Sequence, residues 1–167
     1  MRILPGLVAA CLLTSSLAQA QCLRPADNTA FEVTGLKTRL MVTALTCQAN
    51  EKYDAFIVKY RPELVNQDRA LNGYFSRVHG RAGTKQRDDY VTQLANSEAA
   101  VGTRQGSLFC NQNLPIFEEV MALRGVAELP AYAGAKAVGQ PVAATACGGT
   151  PERETAPTAT RRRARRS

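Results

Sequence analysis

The chain has 167 residues, 45% of them apolar and 21% charged, with a formal net charge of +7. That length and apolar share suit one domain with a core of its own and exclude a chain too polar to build one. The charge is uneven: Gln21 to Thr150 holds 14 basic and 12 acidic residues, whereas Pro151 to Ser167 holds six arginines against Glu152 and Glu154. The excess belongs to the tail, so it gives no reason to expect a basic folded surface.

Arg2, the apolar run Ile3 to Leu13 and the small-x-small site Ala18-Gln19-Ala20 read as a secretory signal peptide covering residues 1–20, with the mature chain beginning at Gln21. The run is too short for a permanent membrane helix. Val8-Ala9-Ala10-Cys11 has the residue types of a lipoprotein cleavage box but leaves too short an apolar region before it. Removal of Cys11 leaves four cysteines, Cys22, Cys47, Cys110 and Cys147. An even count in an exported chain favours disulfides, and the close pairs that a zinc site needs are absent from the sequence.

After an extended lead-in through Pro25, Asp27, Asn28 or Thr29 is placed to cap a first helix ending near Ala49. Its inner face is marked by Phe31, Leu36, Leu40 and Ala44, with Cys47 continuing the stripe. A second helix is expected from Glu51 to about Val78. Tyr53, Phe56, Ile57, Tyr60, Leu64, Leu71 and Phe75 keep the helical rhythm through Pro62, which predicts a kinked helix or two abutting ones there and not a chain reversal. Gly80 and Gly83 break the pattern, and Thr84 opens a third helix from Lys85 to about Ala100, with Tyr90, Val91 and Leu94 facing inward. Gly102 and Gly106 bracket the next turn. A fourth helix from Ser107 to about Arg124 carries Phe109, Cys110, Phe117, Val120 and Met121, with a second kink at Pro115.

Beyond Gly125 the helical period fades, apart from a possible turn over Glu128 to Ala133. The expected fold is therefore all-α: a four-helix up-down bundle over residues 21–133, followed by a flexible, low-complexity basic tail over 134–167 that buries too little to order itself. In an up-down bundle Cys47 and Cys110 lie at the same end. Pairing Cys22 with Cys47 would ask a six-residue lead of about 20 Å to span a helix of roughly 28 Å. The preferred pairs are Cys47 with Cys110 and Cys22 with Cys147.

Chemistry is thinly signposted. His79 is the only histidine, and a hydrolase or a haem site using Met41 or Met121 would have to be built on it. Covalent haem attachment needs a Cys-x-x-Cys-His run, which the sequence lacks. Asp88-Asp89 and Glu118-Glu119 are neighbours on helices, so the members of each pair point about 100° apart and do not share a cleft. Arg77, Arg81, Lys85 and Arg87 gather around the Gly80 to Thr84 turn, where a phosphate or carboxylate could meet free N–H groups. Arg161, Arg162, Arg163, Arg165 and Arg166 suit anionic surfaces.

The expectation is a non-enzymatic, periplasmic or secreted interaction module with no cofactor. Its partner would be a protein or an anionic envelope polymer and not a specific nucleic acid, with peripheral membrane contact through the tail. A small-ligand or haem-binding bundle and a hydrolase centred on His79 are the alternatives.

Overall fold

The computed structural model describes residues 23–141. The expected signal segment, Cys22, Cys147 and the arginine run lie outside the described residues, and with them the expected Cys22–Cys147 pair. Four long helices follow one another: α1 Pro25–Cys47, α2 Asn50–His79, α3 Gly83–Gln105 and α4 Ser107–Met121. A short α5, Leu129–Lys136, comes last. Single 3-10 turns at Gly80–Ala82 and Val126–Glu128 make the remaining links, and no strand occurs among the described residues. The protein is an all-α bundle.

α1 starts earlier than Asp27 to Thr29 would place it. Pro25 takes the first helical position, where its missing N–H costs nothing, and the Asp27 carboxylate accepts from the Arg24 backbone N–H at 3.2 Å. α1 is the axis of the molecule. It touches α2, α3, α4 and α5, and twelve of its 23 residues are buried, so it has no fully wet face.

The rows it presents feed two core clusters stacked along its length. Val33, Leu36, Leu40 and Ala44 meet Phe56 and Tyr60 of α2, Phe117 and Val120 of α4 and Leu129 of α5. Phe31 instead turns to the other end, where it meets Tyr74 and Tyr90 edge-on with centroids 5.0 Å away, beside Leu71, Phe75 and Leu94.

α2 runs unbroken through Pro62 and α4 through Pro115, with both prolines exposed. α2 and α3 stop at glycines: Gly80 at φ 54° and Gly106 at φ 55° occupy backbone conformations that a Cβ penalises. α3 passes through Gly102 and continues to Gln105, further than its sequence pattern indicates. Gly102 is buried against the Phe109 ring of α4, which sits 3.6 Å from where a Gly102 Cβ would lie, an ordinary contact distance, so this glycine is a helical position and not a turn.

At the α2–α3 junction the contact is tighter. A Cβ on Gly83 would stand 2.8 Å from the Phe75 carbonyl oxygen and from the Ser76 Cα. Gly83→Ala is therefore expected to destabilise the bundle by about 2 kcal/mol, because backbone on both sides must shift. Urea unfolding checks this, and an unchanged midpoint would show that the junction is not packed as closely as described.

α2 closes the end of α4. The Lys59 ammonium donates to the Met121 and Leu123 carbonyls at 2.6 and 3.0 Å, and the buried Tyr60 hydroxyl donates to the Val120 carbonyl at 2.6 Å. These are the carbonyls a helix end leaves without partners, and a cation there also complements the helix dipole. Packing then continues past Ala133. Val138 is buried, and Gln140 accepts from the Tyr90 hydroxyl at 2.6 Å while donating to the Phe31 carbonyl at 3.3 Å. Lys136 and Tyr132 both donate to Glu119, tying α5 to α4, and the Lys136 bond holds that carboxyl below its usual range.

Candidate functional site

Cys47 and Cys110 form a disulfide with a Cα separation of 5.7 Å, joining the last residue of α1 to the first turn of α4. The cross-link fastens the bundle at one end. It engages both thiols that a cysteine-based chemistry within residues 23–141 would need.

The basic corner is placed as its sequence positions suggest, but carboxylates already answer most of it. Arg77 meets the buried Asp27 at 2.6 Å, Lys85 meets Asp89 at 2.6 Å, and Arg87 bridges Asp68 at 3.3 Å and Asp88 at 2.8 Å. Arg81 is exposed in the 3-10 turn. Two of these pairs link elements, Arg77–Asp27 and Arg87–Asp68, and two lie within α3, so a bound anion would have to compete with Asp27, Asp68, Asp88 and Asp89.

The same holds for the adjacent carboxylates on α4. Glu118 pairs with Lys52 and Glu119 with Lys136, one on each side of the helix.

His79 is the last residue of α2, exposed, with its ring stacked on Phe75 at a centroid distance of 5.8 Å. Met121 lies at the other end of α2, beside Lys59, which is roughly 30 Å along the helix from His79. Met41 is about 20 Å along α1 from Asp27, which marks the His79 end through Arg77. The helices thus hold His79 away from both methionines. Among the described residues no group of three or more His, Cys, Asp or Glu side chains is gathered as a metal would require.

The surface that stands out lies elsewhere, along the seam of α1, α2 and α3. Two depressions meet there. One of about 400 Å³ is lined by Lys37, Ile57, Arg61, Leu64, Val65, Asp68 and Arg69. The other, of about 330 Å³, is lined by Thr34, Lys37, Asp68, Leu71, Arg87, Asp88, Val91 and Thr92. Lys37 and Asp68 belong to both, which makes one groove of the two.

Its long wall is a stripe of α2 at steps of four: Ile57, Arg61, Val65 and Arg69. Val65 is 44% exposed. On α1 the row Lys37, Met41, Leu45 runs the same way, and Leu45 is 67% exposed.

The groove's charge is lopsided. Asp68 is engaged by Arg87 at 3.3 Å and by the Asn72 amide at 3.2 Å, and Asp88 by Arg87. Lys37, Arg61 and Arg69 form no ion pair among the described residues. Four cations, Lys37, Arg61, Arg69 and Arg87, thus stand against two acids along the groove, and the three with no ion-pair partner rim an apolar floor.

None of these three features among the sequence-derived candidates. The four-residue spacing of Ile57, Arg61, Val65 and Arg69 was the available signal. It alternates apolar and basic side chains along one face, which a purely core-seeking reading of α2 passes over. A third depression, of about 510 Å³ by the disulfide, is lined by Cys47, Gln48, Ala49, Asn50, Glu51, Lys52 and Leu114. It carries no comparable concentration of one charge.

Comparison with protein-family models, with curated proteins and with solved structures finds no match for this chain.

Proposed function

We propose that the protein is an exported, non-catalytic helical module that works by contact, through the α1–α2–α3 groove and through its basic tail. One observation carries this reading. Eight of the fourteen cations between residues 24 and 136 sit in ion pairs, and of the six that do not, Lys37, Arg61 and Arg69 are gathered at one groove beside Ile57, Leu64 and the exposed Val65. Unneutralised charge beside exposed apolar surface is the composition of a recognition face.

Export is supported by the leader-like start of the chain and by the Cys47–Cys110 bond, which persists in oxidising compartments. The arginines from Arg161 to Arg166 supply a weak, salt-sensitive attraction to polyanions, about 1 kcal/mol for each residue held near an anionic surface.

Sedimentation of the chain from Gln21 onward with anionic phospholipid vesicles at low salt tests the tail. Full retention is expected for the intact chain, little for a chain lacking Thr160 to Ser167, and little for either at high salt. Equal retention with and without the tail would remove it from the function.

A further inference from the structure

We infer that the groove docks an amphipathic α-helix with an acidic border, carried by a partner protein; this rests on the contact reading above and names the occupant. The walls are helices whose backbone groups are satisfied within themselves, so an extended peptide would find no ladder of donors and acceptors to join. A helix needs only side-chain complementarity. From Ile57 to Arg69 the α2 wall is roughly 18 Å long, enough for about three turns of a partner helix. Its apolar row would lie on Ile57, Leu64 and Val65, and its acidic residues would meet Lys37 on one side and Arg61 and Arg69 on the other.

Charge argues against the other occupants. A second copy meeting this face about a two-fold axis would bring Arg61 and Arg69 toward their own counterparts. The chain's own tail from Arg161 to Arg166 has the wrong sign. Asp68 and Asp88 share Arg87 and so offset no more than one of the three rim cations, which leaves the groove positive.

The probe is a labelled peptide of roughly 16 residues with leucine on one helical face and glutamate on both flanks, compared with a second peptide in which every glutamate is lysine. Fluorescence anisotropy is read on the chain from Gln21 onward at low salt. The glutamate peptide is expected to bind at least about tenfold more tightly than the lysine peptide. The double variant Arg61→Glu, Arg69→Glu is expected to reverse that preference, and Val65→Asp to weaken the glutamate peptide while leaving the helical circular dichroism unchanged. All three side chains are exposed, so the bundle tolerates these changes.

Deleting Thr160 to Ser167 is expected to leave the affinity within about twofold. Absence of saturable binding, equal binding of both peptides, or an unchanged preference in the double variant overturns the proposal. So does peptide binding that disappears with the tail, and so does a double variant that loses vesicle retention, since that result assigns the groove to membrane. The tail and the groove therefore fail separately: the vesicle experiment can stand when the peptide experiment does not, and the reverse.

Discussion

Replacing Cys47 and Cys110 together by serine is expected to lower the unfolding free energy by about 4 kcal/mol, the loop-closure entropy released by a cross-link spanning 63 residues. The bond joins the end of α1 to the start of α4, so without it the unfolded chain regains the freedom of everything between them. The native state loses less. Leu40 and Ala44 of α1 still pack with Phe117 and Val120 of α4 in the same cluster, which keeps the helices together.

The double variant should consequently keep its helical circular dichroism while its urea midpoint falls and its m-value rises, since a chain freed of the link exposes more surface on unfolding. A loss below about 1 kcal/mol would mean that the unfolded chain is already constrained in this region. Using the double variant, and not a reductant, keeps Cys22 and Cys147 out of the comparison.

The second large effect concerns the interior. Glu98 of α3 has a side chain only 4% exposed and receives two bonds from the Arg39 guanidinium of α1, Nε to Oε2 at 2.9 Å and Nη2 to Oε1 at 3.2 Å. Two charges taken from water are tolerable only while each answers the other. Glu98→Ala removes one and strands a largely buried guanidinium, with an expected loss of about 3 kcal/mol and a fall in Tm on the order of 10 °C.

Pairing Glu98→Leu with Arg39→Met should recover most of that loss, because two apolar side chains of similar volume need no partner. A double variant as unstable as the single one would show that the pair contributes packing which leucine and methionine do not replace. The doubly apolar variant also offers a test of specificity. If the pair sets how α3 lies on α1, thermal unfolding of that variant should be broader even where its midpoint is restored.

Much of the bundle was legible from local pattern. Leu36, Leu40 and Ala44 recur at helical spacing and do bury against α2 and α4, and the same is true of Phe56 and Tyr60. Reach and helix order were enough to pair Cys47 with Cys110, since an up-down bundle puts those two at one end. The Lys85–Asp89 pair is likewise local, four residues apart on one helix.

Other features depended on distant partners. Gly102 resembles a breaker in sequence, yet α3 runs through it and it is buried beside the Phe109 ring of α4. Leu129 and Ala133 form too short a pattern to predict a helix, but α1 and α4 give them a surface to cover, and so α5 exists. Val138 and Gln140 follow them onto the core for the same reason: Gln140 finds Tyr90 and Phe31, about fifty and more than a hundred residues away in the chain.

What this sequence determined by itself was the placement of its four long helices, the main buried face of each and the end at which two of them are cross-linked, because these follow from periodicity and reach within short spans. Which charges remain unneutralised was decided only in three dimensions. The cluster of Arg77, Arg81, Lys85 and Arg87 has the denser run of cations in sequence, but Asp27 and Asp68 arrive from α1 and α2 to neutralise two of them. Lys37, Arg61 and Arg69, scattered over two helices, are brought to one groove whose acid between them, Asp68, pairs with Arg87 instead. An ion pair across helices depends on how the helices lie against one another, and no local spacing contains that distance.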